Sequence, residues 1–525
     1  MDTKVLRQKV LDLAIRGKLV PQDPNDEPAS VLLERIRQQK QQMVKDGKLK
    51  AKDIKNDTII FVSEDNLHYE KFADGSVKCI EDEIPFELPD GWAWSRLGAV
   101  AEAIGDGDHQ PPPQTSFGVP FLVISNVSGG RLSFENTRFV SKEYFSQLPE
   151  TRKPRNGDLL FTVTGSYGIP VLIDSDDKFC FQRHIAIVRP CTISNRYLYV
   201  ILGSSYVKSI CDAKATGTAQ KTVGLATLRE LLIPVAPYKE QMQIYAQTQD
   251  ALSIVDSVSS DKEDLLNIIE SAKAKILDLA IRGQLVPQDP TDEPASVLLE
   301  RIRAEKEELI KQGKIKRDKK ESVIFRGEDN SYYEKMADGK LHCLDDQLPF
   351  ELPDGWEWCN LSMIGTTNIG LTYRPTDIEP GGIMVLRSCN IVNDQVDLSG
   401  LVRVKTTVRE NQFAQKNDIL ICARNGSRSL VGKCALIPDL REPASFGAFM
   451  AIYRTEYFEF IVHYLRSSFF RSVFDDSNPT AINQLTQDML KRAIVPLPPL
   501  SEQRRIVEAI GAMLFELNQI EKSLS

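Results

Sequence analysis

The sequence predicts an α+β chain in which two pseudo-twofold-related globular α/β domains are joined by long antiparallel coiled-coil helices. Three observations carry this. The 525-residue chain is one unit written twice. Its near-identical stretches alternate with two divergent inserts. The stretch at its centre carries a heptad repeat.

Residues 9–40 and 275–306 differ at five of 32 positions, at an offset of 266. A second pair, 68–94 and 332–358, follows at an offset of 264 and contains all four tryptophans, Trp92, Trp94, Trp356 and Trp358. A third, IPVAPYKEQMQI at 233–244 and VPLPPLSEQRRI at 495–506, is offset by 262. Two copies therefore use the whole chain. The inserts, roughly 98–232 and 362–494, share only landmarks, such as Asp158-Leu-Leu against Asp418-Ile-Leu.

The repeated stretches read as helix. Ala251, Val258, Leu265, Ala272 and Leu279 alternate with Val255, Ile269 and Ile276 as a and d positions, with Lys262 the exception. The apolar seam expected here is Leu265, Ile269, Ala272, Ile276 and Leu279. Ser260-x-x-Glu263 is a capping box that would interrupt the helix, and Gly283 is a stop. A further helix is expected over about 295–312. By the offsets, the first helix is the missing end of the last, so the termini should meet and complete a second long helix antiparallel to the central one. In the inserts, 118–127, 157–166, 169–173, 383–391 and 418–427 read as strands, and 197–212 and 457–474 as helices. In each, a strand runs into a Gly/Ser-rich tip and returns, at 164–168 and 424–429.

Composition narrows the functional classes. Charged residues are 26%, hydrophobic ones 42%, and net charge is −8, the balance of an ordinary globular protein. The start is charged, without the apolar core of a signal peptide. Nine cysteines form no CxxC pair and five histidines no HExxH, which argues against zinc and for reduced thiols in the cytoplasm. The acidity is local: residues 98–232 hold 14 basic and 12 acidic residues, and 362–494 hold 15 and 13. Each insert is thus mildly basic, and local patches govern binding to polyanions.

No catalytic motif is present. Gly426 to Cys434 imitates a phosphate loop, but five residues separate its glycines and cysteine follows the lysine. No GxGxxG opens a helix, and the Asn/Asp-Pro-Pro-aromatic loop of amino-methyltransferases is missing. His109, His184 and His463 stand isolated.

The combination of ELPDGW at 87–92 and 351–356, AIRGxLVPQ at 14–22 and 280–288, and PxPPxxEQxxI at 496–506 resembles the specificity (S) subunits of type I restriction-modification enzymes. The first copy of the last motif, Pro234 to Gln241, departs by one proline. The resemblance implies an N-terminal helical segment (1–56), target recognition domain 1 (57–237), a central coiled-coil region (238–320), target recognition domain 2 (321–499) and a C-terminal helix pairing with the central one (500–525). It implies a non-catalytic subunit that reads bipartite double-stranded DNA, one domain per half-site. It also implies two methyltransferase subunits and restriction subunits as partners, with S-adenosylmethionine, ATP and Mg confined to them. The competing reading is a pseudo-symmetric protein-interaction scaffold that does not read DNA.

Base reading favours Arg for guanine and Asn or Gln for adenine, on loops that enter a groove. In the second insert the candidates are Arg424, Asn425, Ser427, Arg428 and Ser429 at the tip, with Tyr373, Arg374, Arg387 and Asn390. In the first they are Thr164, Ser166 and Tyr167, with His109, Gln110, Asn126, Arg183 and His184. The tryptophans read as core anchors.

Overall fold

In the computed structural model, which describes residues 2–109, 112–218, 220–315, 317, 321–475 and 484–524, the chain forms two compact units, Met1–Lys262 and Glu263–Ser525. The central helix, Tyr238–Ile281, contributes to both. It is unbroken through Ser260, so the expected interruption does not occur. A Ser-x-x-Glu spacing caps only a chain that arrives in a non-helical conformation, and here it arrives as helix. At 44 residues the helix is about 66 Å long. Its seam is only partly as expected: Ile269 is buried, but Leu265 is 38% exposed.

In the first unit the helix Thr3–Ile15 starts on Asp2, whose carboxylate accepts from the backbone N–H groups of Lys4 and Val5. It runs antiparallel to the central helix. Thr3 Oγ1 donates to Ser259 Oγ at 3.4 Å, and Arg7 pairs with Asp256. In the second unit the helix Leu500–Leu524 runs antiparallel to the remainder of the central helix, with Lys273 on Glu521 at 2.5 Å.

The repeated motifs meet in one place in each unit. Gln22 Nε2 donates to Gly17 O (2.6 Å) and to Glu240 Oε1 (3.2 Å), and Gln288 does the same to Gly283 O and Glu502 Oε1 at the same distances. Ala29 N donates to Gly91 O, and Ala295 N to Gly355 O, both at 2.8 Å. All four tryptophans are buried, as core anchors are.

Each insert leaves and rejoins this framework on paired strands: Ala93–Arg96 pairs antiparallel with Leu232–Val235, and Glu357–Asn360 with Ile494–Leu497. Between them the first unit holds a four-stranded antiparallel sheet in the order Ala101–Asp106, Ile185–Pro190, Leu159–Thr162, Pro170–Leu172. The second holds a six-stranded sheet whose first four strands are Thr366–Ile369, Met450–Arg454, Ile419–Cys422 and Cys434–Leu436. The shared Asp-x-Leu landmark now has a cause. Asp158 takes a bidentate pair from Arg189 (2.8 and 2.9 Å), and Asp418 from Arg454 (2.6 and 2.7 Å), tying the base of each hairpin to the neighbouring strand. The expected strand over 118–127 is shorter, Val119–Leu122, because a 3₁₀ turn, Ile124–Asn126, takes over.

Candidate nucleic-acid interface

Both tips are hairpin ends, as their Gly/Ser content and flanking strands lead one to expect. This also disposes of the phosphate-loop imitation, which needs a strand-to-helix turn.

In the second unit the tip is tied down by its neighbours. Ala423 N and Arg424 N both donate to Phe449 O, at 2.9 and 3.0 Å, and Leu485 N donates to Ala423 O at 2.7 Å. The exposed Arg424 guanidinium lies 5.4 Å from the centre of the Phe449 ring. Asn425 Nδ2 reaches Ser388 Oγ at 3.5 Å and its Oδ1 accepts from Ser427 N at 3.0 Å. Ser427 and Ser429 hydroxyls bond at 2.9 Å. Arg428, Ser427 and Ser429 are exposed. Leu371 N donates to Phe446 O at 2.6 Å, which brings the segment bearing Tyr373 and the exposed Arg374 alongside. That approach requires glycine: a Cβ on Gly370 would lie 2.1 Å from Gly447 O.

The first unit has the same lattice with other side chains. Val163 N donates to His184 O (2.9 Å), Val223 N to Val163 O (2.8 Å) and Asp108 N to Phe181 O (3.0 Å), matching the bonds of Ala423, Leu485 and Leu371. Ser166 and Arg183 are exposed. His109 is exposed and bonds Asp106 at 2.9 Å. Burial, with the adjacent Arg183 charge, holds His184 below the usual histidine range. Gln110 lies outside the described residues.

Five candidates are engaged inside their own unit. Asn126 and Asn390 are buried, and each amide holds a 3₁₀ turn. Asn126 Oδ1 accepts from Val123 N and its Nδ2 donates to Glu135 O. Asn390 does likewise with Arg387 N and Asp397 O. Thr164 is buried against the Thr222 hydroxyl at 3.1 Å. Tyr167 donates to Asp212 at 2.8 Å under the Lys208 ammonium, 4.3 Å from its ring. Arg387 is half-buried, with Nη2 donating to Gly400 O at 3.4 Å.

Sequence reasoning missed the second wall of each tip. It consists of the exposed Phe449 with Gln484 in one unit, and of Lys221 with Thr222 in the other. Thr222 and Gln484 bridge to Thr164 and Arg424 respectively. A signal was present: Thr218-Ala219 and Thr480-Ala481 repeat at an offset of 262 just before each insert ends.

These geometries agree with what the chain is similar to. The family model for the type I restriction modification DNA specificity domain matches twice, at residues 89–267 and 353–524. The chain is 29% identical over 576 residues to the specificity subunit of the type I restriction enzyme EcoAI of Escherichia coli, covering 99% of this chain and 90% of that one. It is 26% identical over 588 residues to the EcoEI specificity subunit of Escherichia coli, with the same coverage. A chain from a solved structure of a type I R-M system superposes with a TM-score of 0.51 at 18% identity, over 84% of this chain and 94% of that one, which supports the fold. The family model's two matches, which together span two thirds of the sequence, place this chain in the type I restriction modification DNA specificity family.

Proposed function

We propose that this chain is the DNA-recognition subunit of a type I restriction-modification enzyme, each unit reading one half of a bipartite target through the tip of its large sheet. One observation carries the reading: the two tips are hung on the same backbone lattice yet offer different side chains. Arg424, Ser427, Arg428 and Phe449 face outward in one unit, and Ser166, Arg183 and Lys221 in the other. A common frame with different contents reads two different sequences. Arginine bound bidentately to guanine discriminates by about 1–3 kcal/mol, while the mild positive charge of each insert supplies phosphate attraction. The subunit itself recognises. Methyl transfer from S-adenosylmethionine to a flipped adenine, and ATP-driven restriction, belong to the methyltransferase and restriction subunits docked on the repeated framework.

The test is an exchange of residues 98–232 for the corresponding insert of another family member, followed by methylome sequencing of a host carrying the complete system. One half-site should change and the other stay. A simultaneous change in both would defeat the modular reading, and no footprint on DNA in the presence of the methyltransferase subunits would defeat DNA reading altogether.

A further inference from the structure

Ahead of each insert stands a three-stranded antiparallel meander: Ile59–Val62, His68–Lys71 and Val77–Cys79 in the first unit, and Ser322–Arg326, Tyr332–Met336 and Leu341–Cys343 in the second. Both lie outside the two stretches that the family model covers. One face of each packs inward. Ile60 joins the cluster around Trp94, and Glu70 is bonded to Arg96 at 2.7 and 3.0 Å. Ile324 joins the cluster around Trp358.

The opposite face of such a sheet is ordinarily polar. Here it is not. Directly paired residues share a face, and the register runs Phe61–Tyr69–Cys79 and Ile59–Lys71–Val77. In the second unit it runs Phe325–Tyr333–Cys343 and Val323–Lys335–Leu341. The aromatic pairs stack at 6.1 and 6.0 Å. Val77 is 51% exposed and Leu341 57%. The same six positions thus carry nearly the same six side chains in both units, whereas the neighbouring inserts have diverged to scattered landmarks. The surroundings are strongly acidic: residues 57–88 hold nine acidic and two basic residues, and residues 321–352 hold eight and three. An apolar patch of this kind marks an interaction surface. Its acidic rim repels phosphate and complements a basic protein surface.

We infer that the outer face of each meander docks a protein subunit, the same subunit on both units, through an apolar patch ringed by basic side chains. The inference rests on the proposed function, which calls for two copies of one modification subunit. A surface repeated at nearly every position takes the same occupant twice.

The exposed cysteines supply the test, because Cys79 and Cys343 lie on these faces and Cys389 lies in the turn beside the Asn425–Ser388 contact. Thiol labelling follows exposure. N-ethylmaleimide labelling of the full chain is measured alone, with the modification subunit of the same system, and with duplex DNA carrying the methylated target. The subunit should slow labelling of Cys79 and Cys343 by about tenfold or more and leave Cys389 unchanged, while DNA should slow only Cys389. Phe61→Ser with Val77→Ser, both outward, should leave the fold intact and give a complex holding one modification subunit in place of two by native mass spectrometry.

Unchanged labelling of Cys79 and Cys343 in a formed complex overturns the inference. So does their protection by DNA, or in the chain alone as its concentration rises, which would mark a second copy as the occupant. Failure of DNA to protect Cys389 counts instead against the recognition tip. Absence of any complex with the modification subunit overturns both readings.

Discussion

Trp92 Nε1 donates to Glu240 Oε2 at 2.9 Å across 148 residues of chain, and Trp356 makes the same bond to Glu502 at 3.0 Å across 146. The indole of ELPDGW therefore closes on the carboxylate of the EQ motif on the far side of each insert. Burial pushes both carboxyls above their usual range, against the hydrogen bonds from Gln22 and Trp92 in one case and Gln288 and Trp356 in the other.

Removing one donor should therefore be felt. Trp92→Phe keeps an aromatic ring but leaves a buried carboxylate oxygen short of a partner, which should cost about 1–3 kcal/mol at pH 7. A carboxyl whose folded pKa is raised favours the folded state below the unfolded value near 4.5, and that advantage is lost as pH rises through the folded value. Protonation also weakens the charge-assisted bond that the variant lacks. The deficit in urea unfolding should shrink on acidification from pH 7 towards pH 5. A deficit of constant size would mean that Glu240 is not a charged acceptor.

Gly17 turns the chain at φ +63°, and a Cβ there would stand 2.4 Å from Pro89 Cγ. Gly47 has a similar φ of +72°, and a Cβ there would meet no atom of the described residues within 4 Å. Both alanine variants should pay the left-handed cost of about 1–2 kcal/mol. Gly17→Ala should add about 1–3 kcal/mol for overlap with the proline ring. Equal melting temperatures for the two variants would remove that steric contact from the account.

His463 is half-buried on the helix Phe458–Arg466, and its buried Nδ1 has no partner among the described residues. Burial, with the Arg466 charge, brings it down to about 4 from 6.5. A histidine depressed in the fold contributes full stability above its unfolded value and loses it as pH falls to the folded one. Over that window the loss amounts to about 3 kcal/mol. His463→Leu should flatten the acid limb of the stability curve between pH 6.5 and 4, with little change at pH 7. An acid limb as steep as that of the unsubstituted chain would show that the imidazole is not the group responsible.

Arg424→Ala or Arg428→Ala should impair recognition of the second half-site and leave assembly with methyltransferase subunits intact. Binding to target and half-site-scrambled duplexes at fixed salt should lose about 1–3 kcal/mol of discrimination if the contact is to guanine. A uniform weakening on all sequences would instead mark a phosphate contact, and full discrimination in both variants would take this tip off the reading surface.

Much of this was legible because duplication is visible without any structure. Repeat boundaries, hairpin tips, the stop at Gly283 and the tryptophan anchors all follow from periodicity and turn chemistry, which are local. What stayed hidden was mostly which side chains the fold uses up. Asn126 and Asn390 look like adenine readers by type, but each is buried closing a turn with backbone between Val123 and Glu135, or between Arg387 and Asp397. Leu265 and Ile269 are both seam positions by heptad count, yet only the second is buried, because packing and not period decides which apolar residue finds a partner. Phe449 gave no signal of its own, since its place beside Arg424 comes from the pairing of two strands well separated in sequence.

The two short ladders that close each insert have a further consequence. Strands Ala93–Arg96 and Leu232–Val235 are direct neighbours, so the first and last residues of the insert stand about 5 Å apart. Any folded segment that brings its own ends to that separation can be seated there without moving the helices, whatever its length or internal topology. On the proposed function, that makes specificity a replaceable part: a recombination between the flanking stretches should yield a new half-site without a compensating change in the rest of the chain.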